Sequence, residues 1–388
     1  MRINERVDRI PLSQTLALDA RAKEFVAAGR DVVNMTAGEP DFDSPLQVRE
    51  AAKATIDGGR VRYTPAPGRL QLRQAIADYL SRTRGVPYTP QEVTVCHSGK
   101  HALSGVLLSL VHEGDEVLLL APAWVSYVEQ VRFAEGTPVL VPPRPDMGVD
   151  FDALEAAIGP RTRGLMLNSP NNPSGYVCTA DELARLADFA RRHDLWVLSD
   201  EIYGRLVYDD EPYRSLVQQG DDARARTVIV DGASKTWSMT GYRIGFLAGP
   251  PNLAAAVGRL HSQLAGAPNA VGQEAFEAAL TSEAPEIEGM LKAFDERRRR
   301  IVQGLREIGL RTPFPGGAFY VFPAIDEVWP GGDSAAFCEA LLEQEGVAAV
   351  PGSAFGVEGH VRFSYATSME QIEKGLERLG RFLSVRKG

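Results

Sequence analysis

The chain has 388 residues, and a few of its side chains stand where their type and spacing permit chemistry. Lys235 follows the apolar run TVIVDG and precedes a stretch rich in serine, threonine and glycine. A lysine just beyond a buried strand serves as an electrostatic clamp or as a covalent amine, since burial lowers its pKa and favours imine formation. Asp200 closes a second apolar run, LWVLSD, where an unpaired carboxylate is costly. It demands a partner, and a protonated heterocyclic nitrogen is one. Arg243 lies eight residues beyond Lys235 and offers the paired planar donors that suit a phosphate. Ser98 and Gly99 form a turn ahead of a helical rhythm, and free N–H groups at a helix start favour a phosphate there. Each feature alone also fits a structural turn or a solvated charge. Their joint arrangement at successive strand ends is what points to a site.

The elements that must position these groups alternate along the middle of the chain. VTVCHSG reads as a strand opening onto a glycine turn, and HALSGVLLSLV as the helix after it. The stretches DEVLLLAPAW, RTRGLMLNSPNNPSG, LWVLSDEIY, TVIVDGASK and YRIGFLAG read as further strands, with DELARLADFARRHD as a helix. This alternation predicts an α/β fold, a three-layer α/β/α large domain with a mostly parallel sheet. The flanks differ in texture. Before about Asp43 lie a short helix and DVVNMTAGEPDF; the last hundred residues hold a long polar helix, the GGAFYVFP strand, a helix through AAFCEALLEQEG and the strand HVRFSYA. Both termini are expected to form a smaller α+β domain, 1–45 and 286–388, around a large domain at 46–285. Such a layout puts a cleft where strand-end loops meet the small domain.

Composition narrows the function classes. The net charge of −9 argues against a nucleic-acid surface, which needs a concentrated basic field. The run Arg297, Arg298, Arg299 and Arg300 is the local exception, and its helical setting reads as a solvated face. The amino terminus lacks a signal-peptide stretch and no segment reads as a membrane span. Cys96, Cys178 and Cys338 are scattered, which fits a reducing compartment and a cytoplasmic setting. His97 and His101 lie four apart without the further ligands that a zinc site needs, so no metal is expected.

Six stretches occur in a family order: TAGEPDF at 36–42, YTPAPG at 63–68, NSPNNPSG at 168–175, SDEIY at 199–203, GASKTWSMTGYRIG at 232–245 and VRFSYA at 361–366. Through them nearly the whole chain resembles the fold-type I pyridoxal-phosphate enzymes, and more narrowly the class I aminotransferases of the bacterial aspartate aminotransferase type. The lysine-containing stretch is the most specific of the six.

The resemblance implies that Lys235 carries pyridoxal 5'-phosphate as a Schiff base and later moves the substrate proton. It implies that Asp200 pairs with the pyridine nitrogen, that Asn172 and Tyr203 bond the ring hydroxyl oxygen, and that Trp124 stacks on the ring. Ser98, Gly99 and Arg243 are implied as the phosphate cup. Tyr63 is implied to reach the phosphate of a neighbouring subunit, which makes a homodimer with shared sites the active unit. Many relatives place serine three residues before the lysine; here Gly232 stands there, which leaves the cup one side-chain donor short. Arg362 resembles the arginine that clamps the substrate α-carboxylate, and Gly38 lies on the loop expected to close over it.

Substrates are expected to be an amino acid and a 2-oxo acid exchanging the amino group in ping-pong order. Lys100 is the candidate for a distal carboxylate, with Ser13 and Thr15 as polar helpers, which favours aspartate with 2-oxoglutarate. The alternatives are broader, aromatic or prephenate selectivity, a β-lyase, and an inactive scaffold of the kind attached to regulators. A lysine at a helix start is also compatible with simple exposure to water.

Overall fold

The computed structural model describes residues 3–8, 10, 14–59, 61–209 and 212–385. Among them twelve strands are present: β1 (Val33–Asn34), β2 (Val93–Cys96), β3 (Glu116–Leu120), β4 (Thr137–Val141), β5 (Thr162–Asn168), β6 (Trp196–Asp200), β7 (Thr227–Gly232), β8 (Gly245–Ala248), β9 (Tyr320–Val321), β10 (Val347–Ala348), β11 (Val350–Pro351) and β12 (Val361–Ser364). Seven of them form one sheet in the order β2-β8-β7-β6-β5-β3-β4. All neighbours run parallel except β8, which is antiparallel to both β2 and β7.

Alternation along these strands creates the layers, because successive side chains point to opposite faces. Val117, Leu119, Met166 and Leu198 pack in one cluster with the helices Gly99–Leu110 and Pro251–Leu264. Leu118, Leu165, Leu167 and Val197 pack in another with the helix Ala180–Arg192. That helix starts where it does because Thr179 and Glu182 cap one another's backbone N–H groups. Its buried stripe of Leu183, Leu186, Phe189 and Ala190 lies against the sheet, each leucine contributing about 1.5–3 kcal/mol through burial.

The edge strand β4 was not expected from the sequence. TPVLV carries Pro138 and is followed by Pro142 and Pro143, and its residues are mostly half-buried or exposed. A proline is tolerated at a sheet edge, so the weak strand signal and the edge position share one cause.

The two ends of the chain meet. β1 pairs in parallel with β10, Val33 opposite Val347, and β12 lies between β11 and β9 in an antiparallel sheet. The backbone of Met35 extends this lacing, donating to Ala348 and accepting from Ser364. The helices Pro285–Glu307 and Met369–Ser384 pack beside these strands. The GGAFYVFP stretch contributes only the two residues of β9 as strand. The arginine run is not a uniformly solvated face: Arg298 is fully buried, donating to Asp295, Asp209 and the Pro315 carbonyl. No helix among the described residues is long and apolar enough to cross a membrane.

Candidate active site

The C-terminal ends of β5, β6 and β7 deliver Asn168, Asp200 and the turn leading to Lys235 to one mouth of the sheet. Together with Ser98 and Gly99 after β2, they line a cavity of about 550 Å³, within the usual range for small-molecule sites. Gly38, Lys100, Trp124, Asn172, Tyr203, Arg243 and Arg362 also line it. Tyr63 does not; its side chain is fully exposed. Ser13 lies outside the described residues, as does the side chain of Thr15.

Asp200 is 5 % exposed. Its carboxylate accepts from Tyr127 Oη at 2.7 Å and from the Ile202 N–H at 3.2 Å. Burial pushes its pKa up to about 6, with those two hydrogen bonds and Lys235 pulling the other way. Lys235, half-buried, donates from Nζ to the Gly38 carbonyl, so the loop that carries TAGEPDF already touches the amine. Burial pushes the Lys235 pKa down to about 8, Glu39 opposing and Arg243 and Arg362 adding to the fall. An amine poised near neutrality can serve as nucleophile and as proton carrier.

A run of hydrogen bonds joins the sheet to β12. The Asn168 amide donates to the Asp200 carbonyl, Asn168 Oδ1 accepts from the Asn172 N–H at 2.8 Å, and Asn172 Oδ1 accepts from Arg362 Nη1 at 3.0 Å. Arg362 Nη2 donates to the Thr36 carbonyl at 2.7 Å. Arg362 is 3 % exposed, and among the described residues its Nε has no partner. Among the described residues no carboxylate pairs with it, and burial lowers its pKa. A buried cation answered only by neutral acceptors is incomplete until an anion reaches it.

The turn at Ser98 and Gly99 is shaped by close backbone approach. Ser98, buried at φ 111°, precedes the helix Gly99–Leu110 without capping it, a conformation that stores strain at the site. A Cβ on Gly245 would lie 2.3 Å from the Gly99 nitrogen. One on Gly232 would lie 2.8 Å from Gly245 Cα and 2.9 Å from the Ile244 carbonyl. In this chain β8 therefore leaves no room for a side chain at 232. Arg243, at φ 57°, donates to the Thr240 carbonyl at 2.6 Å.

The donor set fits pyridoxal phosphate: a helix start, a serine and an arginine for the phosphate, a buried carboxylate for the ring nitrogen, an amine for the aldehyde carbon. Tyr127, Asn168 and Tyr320 escaped the reading of the sequence. Tyr127 lies one helical turn after Trp124, and their rings meet edge to face at 5.5 Å. Tyr320 Oη and Tyr203 Oη are 2.9 Å apart, and the Tyr320 ring centroid lies 4.6 Å from the Arg362 guanidinium. Lys100 Nζ sits 4.8 Å from the Trp124 ring centroid, in cation–π range.

Residues 30–379 match the family described as aminotransferase class I and II. The chain is 40% identical to an aspartate aminotransferase of Geobacillus stearothermophilus over the full length of both. It is 41% identical to an aspartate/prephenate aminotransferase of Cereibacter sphaeroides, covering 98% of each chain. Its fold superposes on that of the aspartate aminotransferase from Thermus thermophilus with maleate at a TM-score of 0.93, 41% identity, covering 98% of this chain and 100% of that one.

Proposed function

Because the chain belongs to the class I and II aminotransferases, pyridoxal-phosphate-dependent enzymes that exchange amino groups between amino acids and 2-oxo acids, we propose that it transfers the amino group of aspartate to 2-oxoglutarate. The observation that carries this reading is the buried Arg362 with no anionic partner among the described residues. An α-carboxylate supplies the missing anion in paired hydrogen bonds. Lys100, partly buried, stands as the second cation for a side-chain carboxylate. The relatives named for aspartate, and the relative solved with the dicarboxylate maleate, support an acidic substrate. Relatives named for aspartate and prephenate favour prephenate as a further substrate.

When bound, pyridoxal phosphate supplies an electron-withdrawing ring that spreads the charge left at the substrate α-carbon. Asp200 keeps its ring nitrogen protonated, with Tyr127 fixing the carboxylate's orientation. Ser98, Gly99 and Arg243 would hold the phosphate, Trp124 would cover the ring, and Asn172 and Tyr203 would bond the ring oxygen. Lys235 would tether the cofactor through Nζ; as a free amine it would take the proton from the substrate α-carbon and deliver it two atoms away, to the carbon that had carried the aldehyde. Arg362 and the Gly38 loop hold the substrate so that this short transfer is geometrically ready. Ser13 and Thr15 are assigned to the acidic side chain.

The smaller domain is assigned to 1–45 and 286–388, and the larger to 46–285, with β1–β10 pairing in support. Tyr63 is assigned to the phosphate of a second copy, which makes the working unit a homodimer; its full exposure on a loop tied down by Gln273 supports this. Three buried thiols support a cytoplasmic setting. Steady-state rates with aspartate and 2-oxoglutarate varied together test the reaction. Parallel double-reciprocal lines are expected, and intersecting lines would contradict the ping-pong order.

A further inference from the structure

Behind Asp200, on the side away from the cavity, three charged side chains share one buried space. Arg84 is 1 % exposed, Glu201 fully buried and Asp231 2 % exposed. Arg84 Nε donates to Glu201 at 2.7 Å, whereas Arg84 Nη2 reaches Asp231 only at 3.3 Å. Glu201 also accepts from Ser199 and Ser215, so the guanidinium and two hydroxyls answer it in full. Among the described residues Asp231 accepts otherwise only from the Gly232 N–H at 2.7 Å.

The register explains why this acid matters to the site. Asp200 pairs with Val230 across β6 and β7, so Glu201 and Asp231 are the next residues along and turn to the opposite face. Neither lines the cavity. Two carboxylates, Glu201 and Asp231, thus face a single guanidinium. One acid is in excess, and in a buried setting its charge is poorly screened.

We propose that Asp231 is a positioning residue for amino transfer: its carboxyl, sharing Arg84 with Glu201, adds a negative field behind Asp200 that holds the proton on the cofactor's ring nitrogen. The proposal rests on the reading of Asp200 as the partner of that nitrogen. Facing Asp231 are Arg84 and Tyr79 from the helix Leu70–Arg84, Glu201 from the end of β6, and Tyr213 from the segment packed over Arg84, with the charge of Asp200 acting from the other face of the sheet. Burial pushes the Asp231 pKa up to about 7; Arg84 and the Gly232 N–H lower it, and Glu201 and Asp200 raise it further. The field therefore strengthens as pH rises through neutrality. A group raised in the folded state favours folding most below its ordinary 3.8, and that contribution is lost as pH climbs to about 7.

The test loads the protein with ¹⁵N-labelled pyridoxal phosphate and follows the ring-nitrogen shift from pH 5 to 9 in wild type, Asp231→Asn and Asp200→Asn. Asp231→Asn is expected to lower the midpoint of ring-nitrogen deprotonation by about one pH unit, the scale of one nearby charge. Asp200→Asn is expected to abolish protonation across the range. An unchanged midpoint in Asp231→Asn, with protonation lost in Asp200→Asn, overturns the proposal and leaves the reading of Asp200 intact. Protonation surviving in Asp200→Asn overturns that reading itself. A second readout uses cofactor-free protein: the melting temperature of Asp231→Asn minus that of wild type is expected to grow between pH 5 and 8, and a constant difference contradicts the proposal. Asp231→Ser, smaller than the native residue, serves both measurements if Asp231→Asn does not fold.

Discussion

Among the described residues Arg362 meets neutral oxygens from Asn172 and Thr36 and has no partner at Nε, which suits it to an anionic ligand. Hydrogen bonds between charged groups contribute about 1.5–3 kcal/mol each, and two of them correspond to roughly 10²–10⁴ in rate or affinity. Arg362→Lys is therefore expected to lower kcat/KM at least about a hundredfold for aspartate and alanine alike, with circular dichroism confirming the fold. Lys100→Met is expected to separate the two substrates: aspartate loses at least about tenfold, and alanine changes little. Equal losses for both would remove Lys100 from side-chain recognition. Lys235 yields a pH prediction. Its neutral form is the nucleophile, and its pKa lies near 8 instead of 10.5. In cofactor-free protein its modification by an aldehyde with borohydride should rise with pH and level off just above 8. Surface lysines should keep rising toward their ordinary range.

At the scale of elements, the proposed phosphate cup depends on β7, β8 and the start of the helix Gly99–Leu110 touching without side chains between them. Gly245→Ala would drive a methyl into the Gly99 nitrogen and the Ser98 carbonyl carbon, both backbone atoms. It is expected to weaken cofactor binding at least about tenfold by displacing the helix start, measured by equilibrium dialysis. Gly232→Ser should destabilise the protein by about 1–3 kcal/mol through the same crowding, read as a lower unfolding midpoint. Tight affinity with Gly245→Ala would show that this contact does not shape the cup. The sequence exposed Lys235, Asp200 and Arg243 because each closes or follows an apolar run of period and length fit for a buried strand. It hid β4, whose prolines belong to an edge, and Tyr127, whose place one turn from Trp124 matters only once Asp200 is known to face that helix. Nothing in the GGAFYVFP strand set Tyr320 apart, and it is both buried and in contact with Tyr203. Arg298 looked solvated within four arginines because nothing local marks Asp209, far along the chain, as its partner.

For the whole molecule, the ends of the chain fold back together so that Arg362 and the Gly38 loop approach a sheet that the middle of the chain builds. Each 42.2 kDa chain presents Tyr63 outward on a loop held by buried Gln273. Light scattering should give twice the chain mass. Mixing Lys235→Ala with Tyr63→Ala subunits should restore activity that neither variant has alone, since one site of each hybrid keeps both residues. No gain on mixing would place Tyr63 outside the neighbouring site. The central claim is that the cavity accepts an acidic amino acid and takes its amino group. Single-turnover absorbance of the pyridoxal-phosphate-loaded protein against aspartate, glutamate, phenylalanine, tyrosine and alanine tests it most directly. Fast conversion to the pyridoxamine form by aspartate and glutamate, with weak responses from the other three, is the predicted result. Faster conversion by phenylalanine, tyrosine or alanine would contradict the acidic assignment, and no conversion by any of the five would contradict amino transfer from these donors altogether.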